Sequence, residues 1–201
     1  MTTLKIKVSF DEEVLGMSAS DPEIHSTYIA SKGPNAMTLA EEVEAIGVEE
    51  TFEKDMTVFP RDNDGTPIIW DYQWKGYLKD VFGSLRKVPG TECGKIKAYK
   101  KEIDKLIFVY PRKIPINLSG EMSICQRPLR GQTPQGERVA LASSEVVPEG
   151  SSVIFEIECL LDSHVPAVIE ALDYGRRGGF GQWRNSGKGR FHYEILEQKK
   201  S

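Results

Sequence analysis

The sequence predicts an α+β fold in which an antiparallel sheet carries two main helices on one face. Residues 4–10 alternate between apolar and polar side chains, which is the pattern of a strand with one face on a core. Residues 74–85 and 165–172 repeat apolar side chains at helical spacing. Residues 152–160 and 191–195 alternate again. An order of strand, helix, strands, helix and strand is the plan of two split βαβ units.

The composition is that of an ordinary globular chain. Of 201 residues, 39% are hydrophobic and 28% are charged, and the net charge is -4, which suits a single domain over residues 1–201. No apolar run approaches the roughly 20 residues that span a bilayer, and the start lacks a signal-peptide pattern, so we expect a cytoplasmic protein. The cysteines, Cys93, Cys125 and Cys159, are odd in number and far apart. We therefore expect no disulfide framework, no metal site and no cofactor.

Two elaborations interrupt the plan. Residues 15–55 predict a helical insertion after the first strand, because Asp21 and Pro22 have the N-cap and N1 chemistry that starts a helix. Residues 118–138 carry prolines and arginines and predict a β-hairpin or loop arm. Each is too short to hold a core of its own, so both belong to the one domain.

Turn chemistry predicts two further hairpins. Residues 56–70 place an Asp-Gly turn between two apolar runs. Residues 138–143 and 152–160 predict a pair of strands joined by the turn VPEG at 147–150.

The stretch from Asp173 to Tyr193 reverses the acidic character of the chain, because no acidic residue follows Asp173 before Glu194. Glycine lets backbone N–H groups approach an anion closely, and arginine adds permanent, bidentate charge. Phe180 and Trp183 add aromatic faces of the kind on which single-stranded nucleic acids stack. We predict an anion-binding Gly-rich loop over residues 174–190; the alternative is a surface loop whose glycines only permit tight turns. The predicted phosphate contacts in this loop are Arg176, Arg177, Gly178, Gly179, Gly181, Arg184, Gly187, Lys188, Gly189 and Arg190.

Three segments resemble the RAMP superfamily, the RNA-binding proteins that include backbone subunits and repeat-processing endoribonucleases of CRISPR systems. Residues 175–190 read GRRGGFGQWRNSGKGR and are similar to the family's C-terminal Gly-rich loop. Residues 64–88 resemble the segment in which a helix begins with a lysine and a glycine, matched here by Lys75 and Gly76. Residues 138–160 are similar to a family hairpin with an acidic residue, proline and glycine at its turn.

The resemblance implies a ferredoxin-like (RRM/RAMP-type) fold that binds RNA or a phosphate-rich nucleotide across the sheet, as a homo-oligomer or in a CRISPR-related or phage ribonucleoprotein. It makes Lys75 a further phosphate contact and Trp74 a candidate stacking residue, although Trp74 also belongs to the apolar stripe of its helix. Bulky residues at 70–74 replace the family's small ones. Together with the acidic net charge, they favour a stand-alone member, such as one carried by a phage.

Two other functions stay open. The family contains metal-independent endoribonucleases, which need a general base and a proton donor. The candidates are His25, Tyr28 one helical turn further on, and His192 beside the Gly-rich loop. The third function is a phage anti-defence or self-assembling interaction module that sequesters a nucleotide signal or occupies a host complex.

Overall fold

The computed structural model describes residues 1–19, 56–133 and 136–200, with the backbone alone at residues 19, 129–133 and 136–141. Residues 20–55, and with them most of the predicted insertion, lie outside the described residues. His25 and Tyr28 lie there too.

The first sheet holds six of the described strands and has the order β11-β1-β10-β7-β5, with β6 beside β7 on the same edge of β10. Every pairing in it is antiparallel. Because β1 and β10 are adjacent in the middle of the sheet and far apart in sequence, the order is compatible with the predicted ferredoxin-like plan of split βαβ units. Numbered along the chain, the strands are β1 (Thr2–Phe10), β5 (Ile68–Trp70), β6 (Ile107–Tyr110), β7 (Lys113–Asn117), β10 (Ser152–Cys159) and β11 (Phe191–Lys200).

Two helices cover one face of this sheet, as the periodicity predicts. Helix α1 (Asp71–Leu85) begins at the end of β5, and helix α4 (Val165–Asp173) follows β10. The Tyr77 hydroxyl of α1 donates to the Ala171 carbonyl of α4 over 2.8 Å. Alternate residues of β1, beginning with Leu4 and Ile6, are fully buried beneath them. The described helices are α1 (Asp71–Leu85), α2 (Glu92–Lys95), α3 (Tyr99–Leu106), α4 (Val165–Asp173) and α5 (Gly175–Gly178). None of them is long and apolar enough to cross a membrane.

A second sheet, with five described strands, extends the first. Its order is β2-β9-β4-β3, and β8 pairs with the free side of β9 to form a long hairpin. The predicted arm at 118–138 is therefore a hairpin whose second strand continues to residue 147. The strands are β2 (Val14–Leu15), β3 (Ser18–Ala19), β4 (Thr57–Val58), β8 (Ser123–Thr133) and β9 (Gly136–Val147).

The predicted pairing of residues 138–143 with 152–160 is wrong. β9 pairs with β8, β2 and β4, whereas β10 pairs with β1, β6 and β7. The chain keeps its direction through the turn: Val147 faces Val14, Val153 faces Val8, and Gly150 donates to the Phe10 carbonyl over 2.8 Å. Proline and glycine at 148–150 bend one ribbon from one sheet into the other, so turn chemistry here marks a bend and not a reversal.

The predicted hairpin over residues 56–70 is correct at its turn only. The Asp62 carboxylate accepts hydrogen bonds from the backbone N–H groups of Asp64 and Thr66. Arg61 and Pro67 form an isolated antiparallel β-bridge through their backbones. The flanking strands separate, since β4 joins β3 and β9 while β5 joins β7.

Candidate nucleic-acid interface

The Gly-rich loop is a compact structure anchored on the segment that follows β1. Phe180 and Gly189 join its two limbs through an N–H to carbonyl bond of 2.7 Å. Gly189 then donates to the Glu13 carbonyl, and the Arg190 carbonyl accepts from Asp11, both over 2.8 Å. The loop is therefore closed across its two limbs and is anchored through Gly189 and Arg190 to the segment that follows β1.

The loop contains many glycines because its backbone adopts left-handed conformations and its two limbs approach each other closely. Gly179 and Gly189 have φ values of 63° and 70°, and a Cβ on Gly189 would lie 1.8 Å from the Phe180 carbonyl oxygen. The N–H groups of Gly178, Gly179, Gly187 and Gly189 all donate to carbonyls within the protein. These four N–H groups are thus already used and are not available to a phosphate.

Two of the three predicted stacking residues lie in the core. Trp74 is 0% exposed and Phe180 is 1% exposed, and their rings stack on each other with centroids 4.3 Å apart. Phe155 covers the Trp74 ring as well, at 4.5 Å. Neither Trp74 nor Phe180 offers a face to a base, so both are removed from the candidate interface, and Trp74 belongs to the apolar stripe.

Trp183 is the stacking candidate that lies at the surface. Its side chain is 41% exposed, and its φ of 54° is a left-handed conformation that bulky residues rarely adopt. The guanidinium of Arg127, on the arm, lies 4.8 Å from the Trp183 ring centroid and donates to Gln182 over 3.2 Å. Strained backbone of this kind concentrates at functional sites.

Arg127 also belongs to this surface, although its position in the sequence places it in the arm at residues 118–138 and not in the Gly-rich loop. Its Nε and Nη1 atoms are buried and have no hydrogen-bond partner within the described part of the chain. No local pattern could have joined it to the loop, because 55 residues separate it from Gln182.

The five predicted loop cations fall into two groups. Arg184 pairs with Asp80 of α1 and Lys188 pairs with Glu13, each at 2.6 Å. The hydrogen bond that Lys188 donates to Glu13 raises the pKa of Lys188. The other three, Arg176, Arg177 and Arg190, are exposed, and none forms an ion pair with residues that the structure describes.

Lys75 lies on another side of α1. Its ammonium group is 4.6 Å from the Phe108 ring centroid and 3.4 Å from the Asp104 carbonyl oxygen. Burial lowers its pKa. These contacts are with α3 and β6, so the structure does not bring Lys75 to the Gly-rich loop.

The histidines in the described ranges are each paired with a carboxylate. His192 Nδ1 is 2.5 Å from Asp11 Oδ1 at the surface beside the loop. His164 is buried, and its Nε2 is 2.7 Å from Glu102 Oε2. Tyr193 donates to Asp173 over 3.0 Å, and burial raises the pKa of Tyr193 to about 12. No group of three or more metal-ligating side chains occurs among residues 1–19, 56–133 and 136–200.

The helix-free face of the sheet, across which RNA was expected to lie, has no cationic surplus. In β1 and β10 the charged residues alternate with buried ones, so they point away from the core. Residues that lie opposite each other on paired strands share a face, which places the charged residues of β11 beside them. On this face of the three strands four acidic side chains outnumber three basic ones, so the sheet centre does not favour a polyanion. The residues are Lys5, Lys7, Glu156, Glu158, Glu194, Glu197 and Lys199.

Similarity to known proteins lies in the fold and not in the sequence. No family model and no curated protein matches the chain. A cryo-EM structure of the type III-B Cmr-beta complex bound to cognate target RNA contains a similar chain, with a TM-score of 0.51 at 11% sequence identity over 98% of this chain. The two chains therefore share a fold. This chain spans 60% of the length of that one.

A second solved structure, a type IV-B CRISPR complex, contains a chain with a TM-score of 0.48 and 11% identity over 100% of this chain and 93% of the other. The predicted mixed α+β architecture with antiparallel sheets is confirmed, and it is compatible with the predicted ferredoxin-like fold. A stand-alone or phage-borne origin stays a prediction.

Proposed function

We propose that this chain is an RNA-binding protein of a CRISPR-related ribonucleoprotein, and that it holds RNA phosphates with the exposed arginines of its Gly-rich loop. The observation that carries the proposal is the group Arg176, Arg177 and Arg190, three exposed guanidinium groups of one loop that form no ion pair within the described structure. Guanidinium groups of this kind bind phosphate through charge-assisted hydrogen bonds. The fold, similar to that of a chain in an RNA-bound CRISPR complex, and the exposed Trp183 of the same loop support the same function.

Replacing the three arginines together by alanine is expected to lower affinity for a fluorescein-labelled 20-nucleotide oligouridine by roughly one to two orders of magnitude. The dependence of log affinity on log salt should also flatten by about 2, because each lost contact to single-stranded RNA removes about 0.7 from the slope. Fluorescence anisotropy at several salt concentrations measures both quantities. The fold should stay intact, since all three side chains are at the surface.

The matched control is Lys97→Ala, Lys100→Ala and Lys101→Ala, which removes the same charge from exposed positions on and beside α3. An equal loss in both triple variants would reduce the effect to net charge and contradict the loop assignment.

Electrophoresis of the RNA after incubation with the protein in EDTA distinguishes the three candidate functions. Intact RNA in a stable complex supports binding, cleaved RNA supports the endoribonuclease, and no complex at all supports the interaction module.

Trp183→Gly is expected to weaken binding of the same oligouridine about 5-fold or more while leaving the protein stable. Loss of a base-stacking face weakens single-strand binding. Glycine adopts the left-handed conformation of residue 183 freely, and this gain of about 1–2 kcal/mol offsets the lost contact with Arg127 of about 0.5–1 kcal/mol. Urea unfolding and anisotropy measure the two effects. Trp183→Phe, which keeps an aromatic face, should bind nearly as the parent does; equal binding by the glycine variant would remove Trp183 from the interface.

A further inference from the structure

A second group of aromatic and cationic side chains lies where β5 ends and α1 begins. Trp70 is the last residue of β5 and pairs with Lys113 of β7, and Tyr72 lies in the first turn of α1. The two rings are nearly parallel, with an interplanar angle of 15° and centroids 6.2 Å apart. Trp70, Tyr72, Arg112 and Lys113 are called the aromatic patch below.

Both cations of the aromatic patch face Trp70. The Arg112 guanidinium carbon and the Lys113 ammonium nitrogen each lie 5.8 Å from the Trp70 ring centroid. Both cations are exposed, and neither has an acidic partner among the residues whose placement the structure gives. Asp71, which lies between Trp70 and Tyr72 in the sequence, accepts a hydrogen bond from the Tyr72 backbone N–H. The patch therefore keeps a positive charge.

The aromatic patch is not part of the core. Ile69 and Trp74, close to it in sequence, are 0% exposed, whereas Tyr72 is 46% exposed and Trp70 is partly exposed. The end of β5 is secured without these rings, because Gln73 accepts a hydrogen bond from the Trp70 N–H over 2.9 Å. Two large aromatic side chains left at the surface beside unpaired cations are the combination that single-strand binders use to stack bases and contact phosphates.

The position of the patch separates it from the Gly-rich loop. The loop leads into β11 at one edge of the first sheet, and β5 forms the opposite edge, four strand spacings or about 19 Å away. We infer that the aromatic patch is a second subsite for single-stranded RNA, in which a base stacks on Trp70 or Tyr72 and Arg112 and Lys113 contact the adjoining phosphates. The inference rests on the proposed function, because that function supplies RNA as the ligand. The residues of the aromatic patch, however, are different from the loop arginines of the proposed function.

The test compares three variants with the parent, using the labelled 20-nucleotide oligouridine. Trp70→Ala with Tyr72→Ala is expected to lower affinity about 10-fold. Because Trp70 is half-buried, a second variant guards against a loss of folding: Arg112→Ala with Lys113→Ala should also lower affinity about 10-fold and flatten the salt dependence by about 1. Lys100→Ala with Lys101→Ala removes the same charge from α3 and should leave affinity near that of the parent.

The results distinguish this inference from the proposed function. If the patch variants bind as the parent does while the arginine triple variant is weakened, the patch is not a subsite and the loop proposal stands. If the patch variants are weakened while the arginine triple variant is not, the loop proposal fails and the patch stands. A protein that binds no oligouridine overturns both and leaves the exposed aromatic rings as a contact for another protein.

Tryptophan fluorescence gives a direct readout of the patch. In a Trp183→Phe background the remaining tryptophans are Trp70 and the buried Trp74. Addition of unlabelled oligouridine is expected to quench the accessible fraction of the emission, and Trp70→Phe in this background should abolish the quenching. Quenching that persists without Trp70 would contradict stacking at this position.

Discussion

Gly189→Ala is expected to destabilise the protein by about 2–5 kcal/mol, a large share of the roughly 5–15 kcal/mol that stabilises an ordinary domain. The new methyl carbon would lie 1.8 Å from the Phe180 carbonyl oxygen, so the two limbs of the Gly-rich loop could not both keep their places. Backbone displacement of this kind costs about 1–3 kcal/mol. The left-handed φ of 70° adds about 1–2 kcal/mol for a residue with a Cβ.

Gly187→Ala provides the matched control. Its φ is 87°, so alanine meets a similar backbone penalty there, but the nearest atom to the new methyl would be the Arg190 guanidinium carbon at 3.4 Å. The difference between the two variants in urea unfolding isolates the clash with Phe180. Equal destabilisation would mean that the limbs do not approach as closely as described.

Local patterns in the sequence predict β1, β10 and β11 of the first sheet and its two covering helices well. Alternation in β1 and β10 and the apolar stripe of α1 depend on residues within one element, and burial follows them. Pairing depends on residues far apart, and here the same reasoning fails. The turn at 148–150 looks like that of a hairpin, yet Val147 and Val153 find their partners in β2 and β1.

The same limit applies to the candidate interface. The sequence locates the Gly-rich loop, but it does not show which of its cations are free. Arg184 is neutralised by Asp80, 104 residues earlier, and Lys188 by Glu13, 175 residues earlier. An arginine triple variant chosen from sequence would have included Arg184, whereas the structure selects Arg190 in its place.

The function of the glycines in the loop is also not determined by the sequence alone. Their density in residues 175–189 favours an anion-binding backbone when only composition is considered. Their hydrogen bonds show a loop closed on itself, which fits the alternative in which glycine permits tight turns. A glycine needed for closure and a glycine needed for a ligand have the same sequence signature, and the fate of the N–H group distinguishes them.

Trp74→Ala is expected to destabilise the protein by about 3–5 kcal/mol, the range for removing a large aromatic side chain from a core. Trp74 packs between Phe155 and Phe180, and Tyr77 and Phe191 meet it edge-on, both with centroids at 5.7 Å. Its removal therefore loosens the contact of α1 with the sheet and with the Gly-rich loop together. The measurement is urea unfolding followed by circular dichroism.

Trp74→Phe distinguishes a core residue from a stacking residue. The buried Nε1 of Trp74 has no hydrogen-bond partner in the described ranges, and burying an unpaired donor costs about 1–3 kcal/mol. Phenylalanine removes that donor but keeps most of the ring contacts, so we expect a loss of only about 1 kcal/mol and unchanged affinity for oligouridine. A ring enclosed by Phe155 and Phe180 has no face left for a base, which is why unchanged affinity is expected. A Trp74→Phe protein that stays stable but loses affinity several-fold would contradict the core assignment and place Trp74 on the ligand.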